Sequence, residues 1–138
     1  GAGMKILTFG EIMDGGATVF HSVATVDDRS LRHRFEGVIR VDNPYRSLKE
    51  HIDELNAKVP GLGIDEILID FSELRFCNSN GFYVIMDIVE ALYLNATEAK
   101  VTVRRLDDDD WQRETLPILL NVDDESIGRR TNFQNVRE

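Results

Sequence analysis

Cysteine, proline and histidine are scarce in this chain of 138 residues, and so is positive charge. The single cysteine, Cys77, cannot close an internal disulfide, a pattern compatible with a reducing cytoplasm. The three histidines, His21, His33 and His51, sit on separate predicted elements, and no pair has the helical spacing of metal ligands. No apolar run approaches the ~20 residues that span a bilayer, and no signal peptide is visible. No glycine-rich phosphate loop is present; Gly61-Leu62-Gly63 is too short and lacks a following lysine. Lysine and arginine number 16 against 25 acidic residues, a net charge of −9. Nucleic acid and anionic membranes offer no counter-charge to such a surface, and a protein partner with a basic face fits it better.

What is there is the material of one soluble globular domain, long enough to bury one core. Gly1-Ala2-Gly3 ahead of Met4 reads as an expression scar, and residues 4–138 as a single domain. Residues 66–94 organise it. Ile67-Leu68-Ile69 is a short apolar run bounded by charge, which suits a central strand buried on both faces. Phe82, Ile85, Met86, Val89, Leu92 and Tyr93 follow the rhythm of one helix face. Asn78-Ser79-Asn80-Gly81 lies between strand and helix.

Around this centre, residues 5–16 suggest a short strand ending in an Asp14-Gly15-Gly16 turn. Residues 17–26 and 31–41 alternate as two strands of an antiparallel hairpin, and Gly37 signals a bulge or a close backbone approach. Asn43-Pro44 reads as the cap and first position of a helix whose apolar stripe is Tyr45, Leu48, Ile52, Leu55 and Val59, stopped by Pro60-Gly61. Residues 100–106 form another strand. The acidic run Asp107–Asp110 caps a helix from Trp111 to about Leu120, which must kink or restart at Pro117. Residues 127–133 read as a last edge strand before a loose tail. The sum is an α/β domain: a mixed sheet with helices packed mainly on one face.

On residue types alone, Asn78-Ser79-Asn80-Gly81 reads as an ordinary structural cap and turn before it reads as a site. Cys77 near a helix N-terminus has the makings of a thiolate nucleophile, but no second catalytic group accompanies it. The tetra-aspartate run lacks the glycine and terminal glutamate of a calcium loop.

The stretch Ile67-Leu68-Ile69-Asp70-Phe71-Ser72-Glu73-Leu74-Arg75-Phe76-Cys77-Asn78-Ser79-Asn80-Gly81-Phe82 resembles the signature of STAS domains, the sulfate-transporter and anti-sigma-factor-antagonist superfamily. That signature is a hydrophobic strand ending in Asp, a short link, an apolar residue, then Asp-Ser-Ser/Thr-Gly opening a helix. Asp70, Phe76, Ser79 and Gly81 match; Asn78 stands for the usual Asp, and Asn80 for the second hydroxyl residue. The Asn-Ser-x-Gly variant, the strand Phe35–Arg40 with its Tyr45-headed helix, and Trp111-Gln112 are similar to a group of small stand-alone bacterial STAS-like regulators with a longer N-terminal β region. The resemblance implies a STAS-like fold without enzymatic activity or cofactor. It implies a cytoplasmic partner switch phosphorylated on Ser79 by a serine kinase with a histidine-kinase-like ATP fold. A metal-dependent PP2C-type serine phosphatase reverses the modification, and the unphosphorylated form binds a downstream regulator. Asn78, Asn80, Gly81 and Asp70 are the implied contacts for kinase and partner. The alternatives are an unphosphorylated interaction subunit and a domain that binds an anionic ligand such as a nucleotide at the helix N-terminus.

Overall fold

The computed structural model describes residues 3–137; Gly1 and Ala2 of the leading tripeptide, and Glu138, lie outside the described residues. Six strands lie in sequence order across one sheet: β1 (Lys5–Asp14), β2 (Ala17–Asp27), β3 (Ser30–Ile39), β4 (Glu66–Cys77), β5 (Lys100–Leu106) and β6 (Thr131–Val136). β1, β2 and β3 pair antiparallel, and β3 to β6 pair parallel. Parallel neighbours need crossover connections, and these carry α1 (Tyr45–Lys58), α2 (Ser79–Asn95) and, before β6, α3 (Asp110–Leu119) and the single turn α4 (Glu125–Gly128).

Alternation decides which face the helices cover. Phe20, Ser22 and Ala24 of β2, Leu31, His33 and Phe35 of β3, Ile67, Ile69 and Phe71 of β4, and Val101 and Val103 of β5 are all buried on one side. Their neighbours Arg32, Arg34 and Glu36 are exposed on the other. The sheet therefore has one helix-covered face and one open face, the pattern of a half-buried antiparallel sheet extended into a parallel one. This is the mixed α/β architecture the sequence predicts, with β4 in its interior.

Several boundaries differ from expectation for identifiable reasons. β1 is a full ten-residue strand; a bulge at Leu7 and the buried Thr8 and Gly10 interrupt its apolar alternation. Asn43 does not cap α1: the Pro44 carbonyl accepts from Ser47 and Leu48 N–H, and no side-chain cap is present. β4 does not end at Asp70 but runs on to Cys77. α3 continues past Pro117 instead of restarting, because proline sits in its last turns; the Arg113 carbonyl, deprived of a helical donor, accepts from Arg105 at 3.4 Å. Ile127 lies in α4, and the chain after it pairs with β5 as β6 instead of fraying. The capping aspartate of α3 is Asp109, which accepts from Gln112 N–H at 3.0 Å.

Gly37 behaves as its place in a strand suggests. Its φ is +103°, and a Cβ there would lie 2.1 Å from the Val19 carbonyl oxygen. The register with β4 shifts at the same point.

β4 outruns its neighbour. Its pairing with β5 ends at Asp70↔Arg104. Beyond that, the fully buried Gln112 of α3 takes over: its Nε2 donates to the carbonyls of Phe71 (2.8 Å) and Leu74 (3.2 Å), and its Oε1 accepts from Leu106 N–H (2.7 Å). One side-chain amide thus does what a peptide group of an adjacent strand would do.

Candidate functional site

The site is the junction of β4 and α2. Two bulky constraints shape it. Gly81, one turn into α2, packs so closely on β3 that a Cβ would sit 2.9 Å from Ile39 Cβ and 3.1 Å from Cys77 Cβ. Asn78, in extended conformation, is the cap: its Oδ1 accepts from Gly81 N–H at 2.8 Å, while Phe82 N–H bonds the Asn78 carbonyl. A capping aspartate would stop there. The asparagine amide also donates from Nδ2 to the Val41 carbonyl at 3.0 Å. Asn80 Nδ2 does the same to the Asp42 carbonyl at 2.7 Å. The two residues that depart from the STAS signature therefore staple the turn to the loop between β3 and α1.

Ser79 is left between them, exposed, as the first residue of α2, and its hydroxyl makes no hydrogen bond to another described residue. The helix N-terminus beside it is a locally positive environment. A cleft of about 200 Å³ runs past it, lined by Cys77, Asn78, Ser79, Phe82, Tyr83 and Trp111. Its rim is aromatic: Tyr83 is 58% exposed and Trp111 36%. Phe76, 46% exposed, stands next to it under the Arg40 guanidinium, 4.9 Å from the ring centroid. Exposed aromatics around a polar centre are the composition of a protein-binding surface. A larger concavity, about 680 Å³, lies elsewhere, at the β4 end opposite Ser79, where Ser30, Glu66, Lys100 and Thr131 begin the parallel strands.

Cys77 is half-buried and burial pushes its thiol up to about 11, which leaves little thiolate at neutral pH. Asp70 is not part of the turn. It lies on β4 seven residues before Cys77, about 20 Å along a strand, half-buried on the open face, and its Oδ1 accepts from Ser72 N–H (2.8 Å) and Ser72 Oγ (2.6 Å). On the predicted helix face Ile85, Val89, Leu92 and Tyr93 are buried, but Phe82 and Met86 are only half so; Val84, Ile88 and Ala91 are buried instead. α2 is wedged against α1 as well as the sheet, which widens its buried face beyond one stripe.

No protein-family model and no curated protein sequence matches this chain. Solved structures do. SiaC of Pseudomonas aeruginosa aligns over 94% of this chain and 99% of its own with a TM-score of 0.57 at 17% identity. The Bacillus cell-fate determinant SpoIIAA, solved in its phosphorylated form, aligns over 82% and 87% with a TM-score of 0.49 at 13% identity. An antisigma-factor antagonist STAS domain from Rhodobacter sphaeroides aligns over 63% and 85% at 0.39 and 18% identity. The fold of this chain is STAS-like.

Proposed function

We propose that this chain is a partner-switching signalling protein whose switch is reversible phosphorylation of Ser79. A serine kinase with a histidine-kinase-like ATP fold adds the phosphate, a PP2C-type phosphatase removes it, and a downstream regulator binds the unphosphorylated surface. The observation that carries this reading is the free hydroxyl of Ser79, exposed at a helix N-terminus in the middle of an aromatic cleft. A phosphate there is locally tolerated by the helix dipole and the unpartnered first-turn amides. Yet it brings nearly two negative charges into a surface otherwise suited to apolar contact. The chain needs no catalytic group of its own, since the kinase supplies metal and nucleotide.

A second reading is an interaction subunit that is never phosphorylated. It is favoured by Asn78 and Asn80, whose amides serve the turn as structural braces and leave no carboxylate beside the acceptor. One experiment separates the two. The phosphate on Ser79 is mapped by intact mass and peptide sequencing after expression in the native host. Affinity for a partner captured from those cells is then measured for wild type, Ser79→Ala and Ser79→Glu. The switch expects phosphate on Ser79, full binding by Ser79→Ala and weakened binding by Ser79→Glu. Equal affinities and no phosphate under any growth condition would leave the scaffold reading.

A further inference from the structure

The helix-covered face of the sheet contains a buried polar chain that plays no part in the Ser79 site. Ser22 Oγ of β2 lies 2.7 Å from His33 Nε2 of β3 and 2.9 Å from His51 Nε2 of α1. His51 Nδ1 lies 3.2 Å from Thr8 Oγ1 of β1, and beyond Thr8 lies the Glu54 carboxyl at the surface of α1, held below its ordinary value by Lys58 and by Thr8. Ser22 and His33 are completely buried and His51 is 2% exposed. His33 Nδ1 has no partner.

That orphan nitrogen fixes the direction of the whole chain. A bare acceptor is the cheaper group to leave unpaired in a core, so Nδ1 carries the lone pair and the proton is on Nε2. His33 Nε2–H then donates to Ser22 Oγ, and Ser22 donates its only hydroxyl proton to His51 Nε2. His51 Nδ1–H donates to Thr8, which leaves the Thr8 proton free to turn outward toward Glu54. The opposite polarity would bury an unpaired N–H on His33. Every proton of the two rings and of Ser22 has an acceptor in one arrangement only, and there is no place for another. A proton added to His51 forces Nε2–H against a Ser22 oxygen whose own proton then has no acceptor. A proton added to His33 puts an unpaired cationic N–H into the core.

We propose that His33, Ser22, His51, Thr8 and Glu54 form an acid-sensitive latch that holds α1 on β1–β3, and that protonation of the chain lifts α1 from the sheet.

The packing explains why α1 is the part that moves. It rides directly on Gly10 of β1, where a Cβ would lie 2.8 Å from Leu48 Cδ2 and 2.9 Å from His51 Cβ, so ring displacement cannot be absorbed in place. Protons have an entrance: a groove of about 270 Å³ between β1 and α1 is lined by Thr8, His51, Glu50 and Glu54. Among the described residues, the charged groups that line the groove all come from α1. Glu50 and Glu54 line the groove, and Lys58 pairs with Glu54 at 3.1 Å. From β4, Ile69 and Phe71 face the same side and bring no charge. Burial lowers His33 well below the ordinary histidine value, with His51 adding to the effect, and lowers His51 to about 4 although Glu54 opposes this. Both folded-state values lie below the unfolded ones. The stabilisation is therefore complete above about pH 6.5 and is lost as pH falls toward about 4. The consequence reaches the turn at β4–α2, because α1 is preceded by the loop whose Val41 and Asp42 carbonyls hold Asn78 and Asn80. The latch stands whether or not Ser79 accepts phosphate.

Backbone hydrogen exchange on the whole chain tests it, corrected for intrinsic rates at about pH 7 and about pH 4.5. Amides of residues 45–58 are expected to lose protection roughly ten-fold or more in acid, with α2 changing far less. The non-titrating pair His33→Gln with His51→Gln is expected to suppress that difference. Ring 15N spectra of the wild type give a readout that needs no variant: neutral Nε2–H His33 and neutral Nδ1–H His51 at pH 7. Loss of α1 and α2 protection together, an Nδ1–H His33, or either ring titrating at its ordinary value with α1 still protected would overturn the proposal.

Discussion

Gln112→Leu should cost this fold about 2–4 kcal/mol, although it replaces a polar residue in the core by an apolar one of similar volume. The magnitude follows from what the amide touches. Its three hydrogen bonds join three backbone groups on two strands that have separated from each other. Removing it strands the Leu106 N–H, at about 1–3 kcal/mol for a buried unsatisfied donor, and weakens two carbonyls at roughly 1 kcal/mol each. The apolar side chain returns ~1 kcal/mol of burial. Gln112→Glu supplies a sharper control. Its carboxylate can accept from Leu106 but must face the Phe71 and Leu74 carbonyls, so its folded-state pKa is raised above the unfolded value. The deficit relative to wild type is then present at neutral pH and shrinks as pH falls through that raised value, when the protonated acid regains a donor. Urea denaturation followed by far-UV circular dichroism is the assay. With a slope of about 2 kcal/mol per molar, Gln112→Leu should lower the midpoint by roughly 1–2 M. A shift below about 0.5 M, or a Gln112→Glu deficit that does not shrink in acid, would refute the claim that this amide substitutes for a missing strand.

Other changes at the junction have equally definite outcomes. Ser79→Ala should leave stability within about 0.5 kcal/mol by the same denaturation assay, because the cap is Asn78 and alanine suits a first helical position. Asn78→Asp should keep the cap bond to Gly81 but set a carboxylate against the Val41 carbonyl, and should destabilise by about 1–2 kcal/mol in urea despite restoring the residue usual in STAS signatures. Met86→Ala should cost about 1–2.5 kcal/mol, less than a fully buried methionine, since that side chain is only half covered. Cys77, with its thiol raised to about 11, should react with iodoacetamide at neutral pH at least ~100-fold more slowly than a free cysteine, and faster only as pH rises.

What was legible in the sequence is what depends on local pattern. The alternation of β2 and β3, the apolar run of β4, the strand 100–106 and the helix after Gly81 all appear where periodicity puts them. The errors fall where a tertiary partner overrides pattern. β1 hides its alternation because Gly10 must be small under Leu48 and His51, and Leu7 bulges. β6 reads Thr-Asn-Phe-Gln-Asn-Val and carries almost no apolar signal; it is positioned by its ladder to β5 and by Arg130 just before it. Arg130 donates to the carbonyls of Ala99, Tyr93 and Ala96 around the end of α2. Gln112 was visible only as half of a Trp-Gln doublet, because its partners come from two distant strands. His33 and His51 are 18 positions apart, and only the β3–α1 crossover brings their rings to a centroid distance of 5.3 Å. Asp70 was misplaced by the motif itself: the strand that the signature ends at that residue continues here to Cys77.

The two asparagines that break the signature also bear on how the proposed switch would transmit its signal. A turn held only by a capping carboxylate can relax when its neighbour is modified. Here both flanking side chains are tied to backbone carbonyls of the preceding loop, and Gly81 has no clearance against Ile39. A phosphate on Ser79 therefore meets a turn with little freedom to rearrange around it. Its charge stays where it is placed, at the edge of the cleft bounded by Tyr83 and Trp111. With no flanking aspartate, the unphosphorylated surface carries less negative charge than the usual signature would give it, so the step in charge on modification is the larger relative change. Such a switch acts by electrostatic change on a fixed surface, and its effect on affinity can be only as large as the difference in contact that surface makes before and after.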